Sequence, residues 1–214
     1  VVVDSRDKRT EFTPQFVKDA GAKGFMNKGK WSPYSDDPVF QKYYTKFVKA
    51  LAKDFNDPSK VEFIDGFGLG KWGEYHTMIY STGDDTPKKA VFDWVTDIYS
   101  QAFDKVPVVI NYHRWIGAGK DWVDDEHFAA DSEEMLEEAI KKGYSLRHDA
   151  FGMTTYYGSW ERRFAKKYRN ICPIIMEGGW IVKSHSYWQD PRGYRKDSHE
   201  DVRRGEFESL RYPL

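Results

Sequence analysis

Apolar positions along the chain follow two rhythms. Val39, Phe40, Tyr43, Tyr44, Phe47, Val48, Leu51 and Phe55 recur at the three-and-four spacing of a helix, behind Asp37 as capping residue and Pro38 as first helical residue. Ala90, Val91, Trp94, Val95, Ile98 and Ala102 repeat that spacing after Thr86-Pro87, and Met135, Leu136, Ala139 and Ile140 repeat it again behind Ser132, as far as Gly143. Shorter helices are expected between Thr13-Pro14 and Gly21, over Ser159 to Tyr168, and near Asp201 to Leu210. Between the helices lie runs without a helical period: Val1 to Val3, Lys23 to Asn27, the run from Val61, Pro107 to Tyr112, Tyr144 to Phe151 and Cys172 to Met176. A run apolar at almost every position, such as Pro107 to Tyr112, suits a strand covered on both faces. Trp31 to Asp37 reads as a polar loop, and the stretch from Arg192 to Arg204 as solvated surface.

Strands and helices therefore alternate, with connections too long for hairpins, which predicts an α/β fold with a parallel sheet and helices outside it. Such a sheet is either open and doubly wound or closed as a (β/α)8 TIM barrel, and both place ligands at the carboxyl ends of the strands. Four consecutive strands end in polar groups: Asp65 and Glu74, Asn111 and His113, Arg147 to Asp149, and Glu177. So many strands feeding one rim favours the barrel, read as a single domain over 1–214 that lacks its first and last strands.

Composition narrows the partner. The chain has 214 residues, 40% of them hydrophobic, enough for one buried core. Its 33 basic and 34 acidic residues leave a net charge of -1, so no global field draws it to nucleic acid or anionic membrane. No run is long and apolar enough to span a bilayer, and membrane insertion is not expected. Eight Trp and fourteen Tyr exceed the ordinary needs of a core and suit a flat, half-polar ligand such as a sugar. The single Cys172 rules out an internal disulfide and leaves the compartment open, with a secreted or periplasmic setting favoured. A chain that starts at Val1 without an initiator Met reads as processed or trimmed. The oligomeric state is not legible.

The densest chemistry lies in two strand ends. Val61 to His76 runs from a β-branched and aromatic segment through Gly66, Gly68, Gly70 and Gly73 to Glu74, flanked by Trp72, Tyr75 and His76; Pro173 to Trp180 runs from an apolar strand into Glu177, two glycines and Trp180. Cleavage of a glycosidic bond needs one carboxylic acid to protonate the leaving oxygen and a second carboxylate to attack or to activate water. Trp72 and Trp180 supply rings for stacking, and an apolar ring beside an acid favours its neutral form. Read singly, each Glu is as well explained as a surface acid in a loop. Gly68-Leu-Gly70-Lys-Trp-Gly73 also fits the dinucleotide pattern G-x-G-x-x-G, but the residues that follow are not those of a helix open to a pyrophosphate, and Lys71 precedes Trp where a phosphate loop needs Ser or Thr. Six histidines raise a metal hydrolase as an alternative, although no His-x-His or His-Glu-x-x-His spacing occurs. His113 and His148 are better placed to bond hydroxyls or orient carboxylates. Arg147 can pair with Glu177 or close the barrel wall, and Tyr156 or Tyr157 can bond the nucleophile or simply pack. Cys172 reads as a small buried residue.

Gly-Lys-Trp-Gly-Glu74 and Ile-Ile-Met-Glu177-Gly-Gly-Trp resemble the fourth and seventh strand ends of the clan of retaining glycoside hydrolases built on the (β/α)8 barrel, and Trp31 to Pro38 resembles the third loop of its β-galactosidase-like members. The resemblance spans strands three to seven. It implies that Glu74 is the acid/base and Glu177 the nucleophile, and that neither metal nor cofactor is required. The substrate implied is an oligo- or polysaccharide held by Trp72, His76, Asn111, His113, Arg147, Tyr156 and Trp180, with Trp115, Trp122 and Trp188 along the cleft. The clan carries Asn directly before its acid/base; here that position is Gly73, so Asn111 or His76 would have to take over its contact. The alternative is a barrel that binds carbohydrate without cleaving it.

Overall fold

The computed structural model describes residues 11–119, 126–151 and 157–178. Along them run α1 (Gln15–Asp19), β1 (Gly24–Asn27), β2 (Lys30–Pro33), α2 (Pro38–Phe55), β3 (Ile64–Asp65), a 3-10 turn at Lys71–Gly73, α3 (Lys88–Ala102), β4 (Val108–Asn111), α4 (Glu126–Lys141), β5 (Ser145–Phe151), α5 (Ser159–Tyr168) and β6 (Ile174–Gly178). Strands β3, β4, β5 and β6 form one parallel sheet in chain order, and a helix separates each from the next along the chain. The fold is α/β, as the alternation predicts.

Two compact units are distinguished, one drawn from Val1–Ile110 and Arg114–Tyr144, the other from Asn111–His113 and Ser145–Leu214. In the first, α2 is set by its cap: the Asp37 carboxylate accepts from the Phe40 N–H at 2.8 Å, with Pro38 at the start of the helix. Its buried face, Phe40, Tyr44 and Val48, meets Trp94 and Tyr99 of α3. Burying side chains of this size stabilises by roughly 1.5–3 kcal/mol each. Helices α3 and α4 are tied by Lys142, whose ammonium lies 2.9 Å from Asp97 and 3.3 Å from Asp93, and by the mostly buried pair Lys88 and Asp131 at 2.5 Å.

Tyrosine hydroxyls organise the stretch after β3. Gly66 to Gly70 is buried, and its carbonyls would be costly to desolvate without donors. Tyr44 donates to the Phe67 carbonyl at 2.7 Å and Tyr144 to that of Gly66 at 3.1 Å. Gly66 has to be glycine, because a Cβ there would stand 2.1 Å from Val108 Cγ1. In the second unit α5 lays Trp160, Phe164 and Tyr168 in a ring stack, with Phe164 5.7 Å from Tyr112. Glu161, fully buried, accepts from the Gly158 N–H at 2.9 Å. This is half a capping box, since Gly158 has no side chain to return the bond.

Three expectations are corrected. Lys23 to Asn27 does not end a strand of the main sheet, and Trp31 to Asp37 is not all loop: β1 and β2 form an antiparallel hairpin turned by Lys28 and Gly29, both at positive φ. That is the left-handed pair a two-residue hairpin turn demands, and Lys-Gly signals it more weakly than Asn-Gly. Ser132 does not cap α4; the helix begins at Glu126, and the buried Ser132 hydroxyl instead accepts from the Ile116 N–H at 3.0 Å. The strand expected from Val61 shrinks to Ile64–Asp65, the only residues there paired with β4 among those described. Val1 to Val3 and Asp201 to Leu210 lie outside the described residues.

Candidate functional site

Glu74 lies in the first unit, just after the 3-10 turn, in a backbone that is unusual for its residue types. Trp72, Tyr75 and Thr77 have φ of 58, 60 and 50, a left-handed region that costs side-chain-bearing residues roughly 1–2 kcal/mol each and is rarest for β-branched Thr. The conformation is over-determined by its surroundings, as strained segments must be. Tyr75 is buried against Phe67 and Phe92 and donates to the Lys88 carbonyl at 3.2 Å. Backbone bonds join Tyr75 to Leu69, Lys71 to His76 and Gly117 to Tyr75. At Gly70, with φ 74, a Cβ would meet the His76 carbonyl at 2.8 Å.

The strained turn presents three side chains together. Glu74 Oε2 is 3.3 Å from His76 Nε2, and His76 Nδ1 is 3.0 Å from the Thr77 hydroxyl. With its proton on Nε2 the imidazole donates to Glu74 and accepts from Thr77, so the ring is held from both sides. Trp72, 43% exposed, meets His76 edge-on at 5.5 Å and carries the Lys71 ammonium 4.3 Å from its ring centre. Of the residues singled out in the sequence, Trp72, Glu74 and His76 are thus neighbours. Thr77 was not foreseen: its bond to His76 depends on left-handed backbone at Tyr75 and Thr77, which residue types do not announce. No helix follows Gly73, so the dinucleotide pattern lacks its structural context.

In the second unit, register assigns side chains to faces. The Tyr112 N–H donates to the Arg147 carbonyl at 2.9 Å, which sets Asn111 beside Arg147 and Tyr112 beside His148. Arg147 pairs in turn with Ile175, and His148 with Met176. Since neighbours along a strand point to opposite faces, Tyr112, Leu146 and His148 share one face, and Asn111, Arg147 and Glu177 share the other. The first face is covered by α5 and Tyr157: His148 lies edge-on at 4.9 Å to both Tyr112 and Tyr157, whose hydroxyls meet at 2.6 Å. Burial holds the His148 pKa below its ordinary value, with neighbouring Asp149 opposing. His148 therefore packs under the helix, where it cannot orient a carboxylate on the opposite face.

The other face is polar. Arg147 Nη2 donates to Glu177 Oε2; the arginine side chain is 12% exposed and the carboxylate 58%. Of the two readings open for Arg147, the pair with Glu177 is present. Asn111 is 5% exposed, and its Oδ1 has no hydrogen-bond partner among the described residues. His113 is also buried. Pairing slips between His148↔Met176 and Phe151↔Gly178, so Asp149 and Ala150 together face Glu177. Such a bulge locally disrupts the ladder and is common at barrel rims and beside active sites.

Trp115 is buried, with the Arg114 guanidinium 4.2 Å from its ring, and so belongs to the core. Cys172 is half-buried, and burial raises its thiol pKa. Tyr156, Trp122, Trp180 and Trp188 lie outside the described residues. Among the described residues no group of three or more His, Cys, Asp or Glu could hold a metal ion, and no helix is long and apolar enough to cross a membrane. No family of known proteins, curated sequence or solved structure compared with the chain matches it.

Proposed function

We propose that the chain is a retaining glycoside hydrolase of the (β/α)8-barrel type, acting on an oligo- or polysaccharide. The observation that carries this reading is the sided arrangement of the second unit, where alternation places Asn111, Arg147 and Glu177 on the face opposite α5 and a bulge lies beside Glu177. A polar face at the carboxyl ends of buried parallel strands is where barrels keep their chemistry. Sheet order supports the architecture, since four parallel strands that neighbour one another in chain order have no switch point, as in an arc of barrel.

In the proposed reaction Glu177 attacks the anomeric carbon as the bond to the leaving oxygen breaks, and Glu74 gives that oxygen its proton. Glu74 then takes a proton from water, whose oxygen displaces Glu177 from the sugar. His76, bonded to Glu74 and braced by Thr77, keeps the carboxyl from swinging. Arg147 holds Glu177 in place for attack.

The test is turnover of a panel of aryl glycosides and natural glycans. Glu177→Ala is expected to lose at least ~10³-fold in kcat and to regain part of it with azide, which takes the place of the missing carboxylate. Retention of configuration requires the two carboxyl groups about 5 to 5.5 Å apart, whereas about 6.5 to 9.5 Å implies inversion. A parent protein that binds glycans without hydrolysing any is a binding module, and activity abolished by a chelator would favour a metal hydrolase.

A further inference from the structure

Helix α2 turns Phe40, Tyr44 and Val48 inward and carries a charged, aromatic strip on its outer side. Lys42, Lys46, Lys49 and Lys53 follow one another at spacings of four, three and four, which sets them along one side of the helix. All four are exposed, and Asp54 is the only acidic residue in α2. Lysines of α3 and α4 are matched by acids: Lys88 by Asp131, Lys89 by Glu134 and Lys141 by Glu138. Among the described residues no carboxylate pairs with the four lysines of α2. Rings lie beside this row. Tyr43 meets Phe16 of α1 edge-on at 5.4 Å, and the Lys42 and Lys46 ammoniums stand 5.9 and 5.4 Å from the Tyr43 ring centre. Phe16 is 57% exposed, and Phe47, one turn on from Tyr43, is 37% exposed.

We propose that this face of α1 and α2 docks on an anionic lipid surface, with Phe16 and Phe47 entering the headgroup boundary and the lysines meeting lipid phosphates. Unbalanced ammoniums call for an anionic partner, and phenylalanine rings call for one that also offers apolar depth. A bilayer interface supplies both, since lysine stems run along apolar matter while their heads stay at the phosphates. The net charge of -1 provides no long-range pull, so the attraction belongs to this strip. Nucleic acid is the poorer match: bidentate phosphate and base contacts favour arginine, and Glu11 to His113 contains none. A second copy docking by the same face would set like charges against each other. Docking of this kind is independent of glycosidase activity.

The 214-residue chain is sedimented with vesicles of phosphatidylcholine alone and of phosphatidylcholine with phosphatidylglycerol. Binding is expected only where phosphatidylglycerol is present, and is expected to weaken as salt rises. Lys42→Gln with Lys46→Gln should lower the partition coefficient at least ~10-fold, and Phe16→Ser at least ~3-fold. Lys89→Gln with Lys141→Gln removes equal charge from exposed positions on α3 and α4 and should leave it unchanged. Circular dichroism checks each fold, and Lys49→Gln with Lys53→Gln, or Phe16→Ala, repeats the measurement should a variant not fold. Failure to bind either vesicle overturns the proposal, as does equal binding to both. So does an equal loss in the two double variants, or parental binding by Phe16→Ser. A chain that ignores vesicles but holds a single-stranded oligonucleotide through Lys42 and Lys46 overturns it in favour of nucleic acid.

Discussion

His148 shows how the face of a strand decides what a polar residue meets. It lies between Tyr112 and Tyr157 under α5, and burial lowers its pKa. The unfolded chain takes up the proton at about pH 6.5, whereas the folded chain resists it. The unfolded state then binds more protons, and stability falls as pH drops below about 6.5 by at most about 1.4 kcal/mol per unit. Urea unfolding at pH 8, 6.5 and 5 should show that loss in the parent and a flatter profile in His148→Phe. Equal slopes in the two proteins would assign the acid sensitivity to other groups. One position earlier, Arg147 faces the other way and pairs with Glu177, so adjacent residues divide an apolar packing face from an ionic one.

At the scale of elements, the close approach of β3 to β4 is set by the absence of a side chain. Gly66→Ala would drive a methyl to 2.1 Å from Val108 Cγ1, a stiff β-branched neighbour. Overpacking of this kind costs about 1–3 kcal/mol, so the urea midpoint should fall. Gly66→Ala with Val108→Ala should recover part of the loss, and a single variant as stable as the parent would refute the clash. The helices and buried strands were legible because their signals are local and redundant. Asp37-Pro38 starts α2 as expected, Ser159 to Tyr168 is α5, and Val108–Asn111 is buried at every position. The hairpin was missed because Lys28 adopts a left-handed backbone more usual for Asn or Gly. The start of α4 was missed because Ser132, a good cap by type, is used to hold Ile116. The Glu74, His76 and Thr77 contacts and the Asp149-Ala150 bulge were beyond pattern reading, since both arise from backbone departures that tertiary packing imposes.

Across the molecule, buried tyrosines recur in both units. Tyr44, Tyr75 and Tyr144 are held well above the ordinary phenol range, chiefly by burial, and burial pushes Tyr99 and Tyr157 up to about 12. The unfolded chain releases these protons near pH 10; the folded chain keeps them. Their contribution is therefore complete below about pH 10 and lost as pH climbs through the folded values. Absorbance of phenolate and far-ultraviolet circular dichroism, followed together, should show these hydroxyls ionising only as the structure is lost. All tyrosines titrating near pH 10 with the dichroism intact would contradict their burial.

The left-handed trio Trp72, Tyr75 and Thr77 has a bearing on how the chain could change. Glycine would relieve the backbone conflict at Trp72 and Thr77, whereas at Tyr75 that relief would be outweighed by the loss of a ring buried against Phe67 and Phe92. A glycine at Thr77 would relax the backbone but remove the hydroxyl that meets His76, and so loosen the ring that meets Glu74. The turn thus carries three left-handed residues around the contacts that join Glu74 to His76 and His76 to Thr77.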